Sequence, residues 1–486
     1  MSDGSGDSKN ELQKSLGAVD FFTLSFGTMV GVGWITVLGP MLEMAGPIGV
    51  SIAFLLGGVL VLLIGGCYAE VASIYPVAGG EVAYGYEMFG TGVAFINGWL
   101  LALGLISVVS FEMISVGWIV TGLVPGIEGP VLYRIAGEDV TAGSLVIGLL
   151  FMVAITAFNA RGAKAAATLQ RVTTFGLIAI TTVFILVCAV IGNPDNLVPM
   201  FAEQKRSTSA ISAILAVFVL TPFWYSGFDA IPQAFGERKR TVSVATVAWT
   251  MVASIVAAML FYGLIFLAPA MVAPRADIIA FDLPAASVFA AALGSPVAGK
   301  VILVAGLCGL VSTWNAIHFS AARVIFALGR AHLIPNRLGS VGKQFHAPRN
   351  AVLFVSVVGG LGGLLGKGVI LPVVNTGALA LSIVYAVVCF GLVKLRVSKH
   401  APVADFRLPG GLTIPICAAV ASSGVAIYSL QNAKVSAESA IPLEWVFIGA
   451  WAIIGIAFWQ IARPLRNEIS DADRRNLILT ERNAAP

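Results

Sequence analysis

The sequence predicts an all-α integral membrane protein of twelve transmembrane helices, the first and sixth of them discontinuous. Three observations lead there. Of the 486 residues 58% are hydrophobic and 11% charged, with a mean hydropathy of +0.92, whereas a soluble domain carries roughly 25% charge. Uncharged runs of about 20 residues, long enough to span at 1.5 Å per residue, occupy 21–42, 44–69, 88–111, 140–160, 172–194, 207–228, 241–274, 301–322, 368–393, 408–433 and 445–462. The shorter run 351–366 lies between two clear spans and must cross if the charge pattern is to hold. Finally, two of the runs contain helix breakers at corresponding places in the two halves of the chain.

The first broken run, Phe21 to Leu42, holds Gly27, Gly31 and Gly33, and the second, Ser207 to Phe228, breaks around Pro222 and Gly227. An unpaired amide in hydrocarbon costs several kcal/mol, so unwound backbone persists there only inside protein or against a wet cavity. Paired breaks near the midplane point to a substrate site between structural repeats. The spans divide the chain into a tail (1–16), helices 1–5 (17–192), helices 6–10 (207–396), a final pair (408–462) and a second tail (463–486). Five is odd, so the second block of five is expected to enter upside down, giving a 5+5 inverted repeat.

Charge sets the orientation. With the N-terminus inside, all of the 29 lysines and arginines fall on the cytoplasmic side except Arg134, Lys205, Arg206, Arg275, Lys300, Lys367 and Lys434. The positive-inside rule therefore predicts a multi-pass protein of the cytoplasmic membrane with both termini cytoplasmic. The polar start MSDGSGDSKN carries no apolar stretch with a cleavage site, so no removable signal peptide is expected. The formal charge of +4 is a topology signal, and no basic stripe interleaved with aromatics suggests nucleic acid. The five cysteines stand singly in apolar stretches and read as buried free thiols. Most of the 53 glycines read as helix-packing positions.

A broken helix exposes two kinds of ends. The outer part of helix 1 from Trp34 and the inner part of helix 6 from Phe228 present free N–H groups, suited to a carboxylate. The opposite ends present carbonyls, suited to an ammonium group or a sodium ion. The pair of breaks fits the zwitterionic end of an amino acid, or an amine alone.

Four segments then carry a resemblance: GTMVGVGWI from Gly27, PVAGGEVAYGYEMFG from Pro76, FWYSGFDA from Phe223 and WNAIHFSAARVIFALGRAHLIP from Trp314. In this order and in these spans they resemble the helix-1, loop, helix-6 and helix-8 signatures of the amino acid-polyamine-organocation (APC) superfamily, over about 20–335. The resemblance implies the APC fold, with its 5+5 inverted repeat and two further helices. It implies that Gly31, Val32 and Gly33 offer backbone to a substrate carboxylate, and that the Val30 carbonyl with Tyr225, Ser226 and Gly227 holds the amine. Phe223 falls at the position of a gating aromatic and Trp314 where an aromatic covers the substrate. Val32 stands where the family usually has Ser. The body of helix 5, 172–193, has no lysine, where many proton-coupled members carry one.

Glu112 is alone in an apolar run, on a helix face with Gly104 and Ser115. An intramembrane carboxylate is costly and functional by default; it reads either as a proton carrier or cation partner, or as a hydrogen-bonded structural group. Asp229 reads the same way, or as a cap of the inner half of helix 6. Ser312 and Thr313 lie where related sodium-coupled transporters place hydroxyl ligands, although such hydroxyls often bond their own backbone. Glu70, Glu81 and Glu87 read as a solvated or loop-fixing cluster. A channel filter would lie in a re-entrant loop repeated around an axis, and an enzyme would need a catalytic constellation that His318, His332, His346 and His400 do not make.

The expected function is a secondary active transporter, not an enzyme, moving amino acids or related organic amines by alternating access through the lipid bilayer. Proton-coupled symport or substrate exchange is expected, with no resident cofactor. The alternatives are sodium-coupled symport, polyamine or amine antiport, and a substrate-sensing receptor on a transporter fold.

Overall fold

The computed structural model describes residues 14–77, 79–124, 126–161, 163–202, 209–342, 347–398, 403–431, 433 and 441–479. Lys205, Arg206, Lys434, His346 and His400 lie outside them. Helix 1 is built in three pieces, α1 (Ala18–Met29), α2 (Gly33–Thr36) and α3 (Leu38–Ala45). Gly46, at φ +76°, turns the chain into α4 (Pro47–Ile74) with Pro47 at the first helical position, where its missing N–H costs nothing. A Cβ at Gly46 would stand 2.8 Å from the backbone of Met200 and Ala202, so only glycine fits this turn. The short α5 (Glu81–Phe89) leads through Gly90, at φ +86°, into α6 (Thr91–Leu123).

An antiparallel hairpin, β1 (Val131–Ile135) and β2 (Glu138–Thr141), follows, a departure from the all-helical expectation outside the spans. Its turn residues Ala136 and Gly137 have φ of 50° and 82°, the left-handed pair that a tight hairpin demands. Then come α7 (Ala142–Ala160) and α8 (Ala163–Ile191). Helix 6 is again in pieces: α9 (Ala210–Phe218), α10 (Thr221–Trp224) and α11 (Ala230–Ala234). Its inner piece extends to Ala234, so the interruption between Trp224 and Ala230 lies inside the helix. The chain continues with α12 (Val244–Ile265), α13 (Leu267–Val272), α14 (Arg275–Ile279), α15 (Pro284–Ala292), α16 (Pro296–Arg330), α17 (Arg349–Gly363), α18 (Ile370–Val397), α19 (Thr413–Gln431), α20 (Leu443–Ile461), α21 (Arg463–Glu468) and α22 (Asp471–Leu479).

Ten helices among the described residues are long and apolar enough to cross a membrane, and α17 is a shorter apolar helix. The chain is a multi-pass membrane protein. The first span has 83% of its most apolar window buried and α20 only 17%; α1 therefore lies at the centre of the bundle and α20 at its rim. Around that centre α4 packs on α12, α6 on α16 and α18, and α8 on α16. Helices 3 and 8 are longer than their uncharged runs, α6 reaching Leu123 and α16 spanning 35 residues. Cys67, Cys188 and Cys389 are buried free thiols as expected, but Cys308 is half-buried and Cys417 exposed, because α19 turns that face outward.

The three glutamates expected to cluster are separated by their partners. Glu70 receives Arg396 and the Leu408 amide (2.7 Å), fixing the 406–411 loop. Glu87 takes both arms of Arg475 of α22 at 2.7 and 2.8 Å. Glu81 is fully buried and accepts from Gln233 of α11.

On the face carrying Leu16 and α22, Arg323 of α16 pairs with Glu237 at 2.9 Å, both 1% exposed, and covers the Phe319 ring at 3.4 Å. The Glu237 carbonyl in turn holds the amides of Ser15 and Leu16 at 2.9 Å. Removing one partner of such a pair strands a buried charge at about 3–5 kcal/mol. Arg323→Ala should therefore lower the midpoint of thermal unfolding in detergent, and the double change with Glu237→Leu should recover part of the loss.

Candidate functional site

The site forms where the two interrupted helices meet. In helix 1, Val30 leaves helical geometry at φ −104°, ψ 89°, and the amides of Gly31 and Val32 donate to no partner among the described residues. In helix 6, Gly227 takes φ +138°, and a Cβ there would lie 2.6 Å from Thr28 and 2.7 Å from the Met29 amide. Glycine thus permits both the conformation and the close approach of one break to the other. Tyr262 of α12 fastens them together: its hydroxyl reaches the Met29 carbonyl at 2.5 Å and the Trp224 carbonyl at 3.3 Å. Nothing in the apolar run around Tyr262 signalled this role.

Each glycine of the helix-1 motif answers a specific neighbour. A Cβ at Gly27 would strike Thr174 and Ser312, and one at Gly31 would lie 2.7 Å from Thr313 Oγ1 and 2.9 Å from Glu112 Oε1. One at Gly33 would enter the Trp224 ring. Gly309 of α16 faces the Gly31 carbonyl closely enough that its own Cβ would stand 2.7 Å away. Glu112 of α6 therefore projects onto the helix-1 break, 1% exposed, with Oε2 lacking a hydrogen-bond partner among the described residues.

The aromatic against the break is Trp224, not Phe223. Phe223 packs edge-on against Phe111 (5.8 Å) and Trp224 (5.3 Å) and closes on Gly377 of α18. Trp314 is fully buried with its indole N–H unpaired, and stacks on no ring of the break. Trp34 is buried against Phe184 of α8 at 5.7 Å. Tyr225 turns away, its hydroxyl donating to the Phe54 carbonyl of α4 at 2.8 Å, while Ser226 is buried within the turn. The Asp229 carboxylate does not cap α11; it accepts the Gly227 amide at 2.7 Å and the Tyr385 hydroxyl at 3.4 Å.

Beside the break, α8 and α16 share a polar network. Gln170 Nε2 donates to the Thr23 carbonyl (3.0 Å) and to Ser312 Oγ (2.7 Å), and Thr174 meets Ser312 at 2.8 Å. Asn315 donates to Gln170 Oε1 (3.0 Å), and Asn159 of α7 donates to Asn315 Oδ1 (3.2 Å). Thr313 Oγ1 donates to the Gly27 carbonyl at 3.0 Å. The hydroxyls of Ser312 and Thr313 are thus engaged, one by an amide N–H and one by a carbonyl. Gln170 was missed because it precedes the uncharged run of helix 5 and neighbours Arg171.

A cavity of about 290 Å³ opens on the hairpin side, lined by Trp118, Arg134, Glu138, Asp139, Asp282 and Lys367 among others, and reaching Met113, the neighbour of Glu112. Trp118 Nε1 donates to Asp282 at 2.7 Å and Lys367 bridges Glu138 at 3.3 Å. Among the described residues no group of His, Cys, Asp and Glu has the spacing of a metal site.

Membrane-spanning helices around two interrupted ones, with free amides and a carboxylate at the interruption, define a polytopic membrane protein of the transporter class. The chain belongs to the amino acid permease family, whose model matches residues 16–459, and so to the amino acid-polyamine-organocation superfamily its motifs resemble. It is 26% identical over 473 residues to the methylthioribose transporter of Bacillus subtilis, covering 93% of this chain and 94% of that one. It is 27% identical over 420 residues to the branched-chain amino acid permease BcaP of the same organism, covering 84% and 86%. Cationic amino acid transporter 9, chloroplastic, of Arabidopsis thaliana is 26% identical over 341 residues, covering 68% of this chain and 57% of that one.

Proposed function

We propose that this protein is a secondary active transporter of amino acids or related amines in the cytoplasmic membrane, with both termini cytoplasmic and no enzymatic step. The observation that carries the reading is the convergence of the unbonded Gly31 and Val32 amides with the Glu112 carboxylate at one buried point. Two free amides suit a substrate carboxylate. A carboxylate lacking a basic partner suits the ammonium group, with the Val30 carbonyl and the turn at Ser226 beside it. The rings of Phe111 and Phe223 suit an apolar side chain.

Counting α17 and the interrupted α9–α11 with the ten long helices gives twelve spans. The packing supports a 5+5 inverted repeat. If helix 1 corresponds to 6, 2 to 7, 3 to 8, 4 to 9 and 5 to 10, observed contacts come in matched pairs: α1 with α12 and α4 with α9, α1 with α8 and α10 with α18, α8 with α16 and α6 with α18. One bundle rocking against such a scaffold gives alternating access. For the coupling ion, the Gln170 N–H lies between the acceptors that a sodium ion would need, which disfavours sodium and leaves proton-coupled symport or exchange.

Reconstituted protein should show saturable uptake and counterflow for some of a panel of branched-chain, cationic and other neutral amino acids and methylthioribose, unchanged when sodium is replaced by choline. Flux that does not saturate, or none for the whole panel, would overturn the reading. Trp224→Leu should weaken binding of the transported amine by about tenfold, since a ring face attracts an ammonium by ~0.5–2 kcal/mol and 1.4 kcal/mol is one decade. Trp314→Leu should leave it within about twofold on the same scale; ligand-induced thermal shifts measure both.

A further inference from the structure

We propose that Glu81 and Asp229 together hold one proton beneath the break, shared between two carboxyl groups while the cytoplasmic side is closed and released to the cytoplasm when α5 parts from α11. This rests on the transporter reading above and names the residues that would couple it to protons. The two acids belong to the elements that close the cytoplasmic side. Glu81 is the first residue of α5, a helix outside the ten spans, and Asp229 lies at the start of α11, the inner piece of helix 6. Gln233 of α11 donates to Glu81, and the Glu81 carbonyl accepts Asn97 of α6 at 3.1 Å. A Cβ at Gly80 would stand 2.8 Å from Pro232, so α5 and α11 are in direct contact.

Both acids are buried, at 0% and 1% exposure, and Glu81 Oε1 has no hydrogen-bond partner among the described residues. Tyr68 of α4 and Tyr385 of α18 meet edge-on at 5.8 Å, and the Tyr385 hydroxyl donates to Asp229 at 3.4 Å. The other titratable groups facing them are Tyr84 on α5 itself and the Cys389 thiol on α18. The cations of the surrounding elements are committed: Arg323 of α16 to Glu237, Arg396 of α18 to Glu70, Lys394 to the Met88 carbonyl and Phe89 ring, Arg475 of α22 to Glu87, and Arg171 of α8 to Asp20 of α1.

Two interacting carboxyl groups without a cation cannot both ionise in a low-dielectric interior. Burial, and after it the charge of Asp229, holds the Glu81 carboxyl well above the ordinary carboxylate range. Asp229 already has the Gly227 amide to stabilise its anion, so the proton resides with the pair and chiefly on Glu81. Separation of α5 from α11 removes Gln233, admits water and parts the two charges. The carboxylic O–H then breaks heterolytically, its proton passing to water and its electron pair staying on the carboxylate. Once the cytoplasmic side has closed again, one carboxylate takes a proton back from water reached through the outer side, so that each cycle carries one proton inward.

Infrared difference spectra of purified protein at neutral pH, without substrate, test the pair directly. Glu81→Gln should remove a protonated-carboxyl C=O band, Asp229→Asn should shift it because Glu81 loses its partner but stays buried, Glu81→Asp should keep a shifted one, and Glu112→Gln should leave it in place. In proteoliposomes under a one-unit pH gradient, the ratio of accumulation to counterflow should fall about tenfold in Glu81→Gln, the driving force one proton supplies. A band that survives Glu81→Gln, a band that Asp229→Asn leaves unmoved, or an unchanged ratio would overturn the proposal. Absence of counterflow in the unaltered protein overturns the transporter reading instead, and the infrared band still decides whether the pair holds a proton.

Discussion

Gly33→Leu is expected to abolish counterflow while the protein still inserts and purifies as a monodisperse species. A Cβ alone at this position enters the Trp224 ring, and leucine adds three further carbons at the point where helix 1 restarts. Trp224 cannot simply retreat, because its backbone carbonyl is tied through Tyr262 to Met29 and its ring is wedged edge-on against Phe111 at 5.6 Å. Overpacking of this kind costs about 1–3 kcal/mol in a core, which falls on the geometry of the two free amides rather than on the fold at large. At 1.4 kcal/mol per decade, that is a loss of roughly ten- to a hundredfold in affinity, compounded by obstruction of the space itself. Wild-type flux in Gly33→Leu would remove the break from the substrate site.

Glu112→Gln has the second-largest expected effect. The carboxylate points at Gly31 with one oxygen unpaired, and the glutamine keeps the shape while removing the charge that meets an ammonium group. A charge-assisted hydrogen bond is about twice as strong as a neutral one and contributes ~1.5–3 kcal/mol, so affinity for α-amine substrates should fall by roughly ten- to a hundredfold. Because the loss is in binding, counterflow and pH-driven accumulation should fall together, and neutral analogues lacking the amine should suffer least. Counterflow preserved with accumulation lost would instead make Glu112 the proton carrier. Parallel assays on Glu112→Gln and Glu81→Gln separate a ligand for the amine from a holder of the proton.

The break in helix 1 was legible because three glycines stand within seven residues of an apolar run, while the neighbours they admit, Thr174 and Ser312 at Gly27, Thr313 and Glu112 at Gly31 and Trp224 at Gly33, come from distant parts of the chain. Glu112 was legible as a candidate because a lone acid in an apolar run stands out, but its place against Gly31 was not. Which aromatic faces the break was not legible. Helical periodicity fails where the helix unwinds, so the choice between Phe223 and Trp224 depends on dihedral angles that no pattern encodes. Tyr262 and Gln170 act through partners more than a hundred residues away in sequence, at Met29 and Ser312, and neither has a local signature. Glu81 lies in a motif yet reads as loop-fixing from sequence, because its burial comes only from the packing of α5 on α11. The hairpin had a readable signal, two β-branched and aromatic stretches flanking Ala136–Gly137, but it lay between spans and was passed over.

The central claim is that the paired breaks hold the substrate, and substrate protection of a cysteine placed there tests it most directly. In a Cys417→Ser background, which removes the exposed thiol, Ser226→Cys lies in the helix-6 turn within the described site. Saturating transported substrate should slow its modification by a small charged thiol reagent by about tenfold or more, as occupancy at 10 Kd demands. An unchanged rate of modification, in a variant that still exchanges that substrate, would contradict the account.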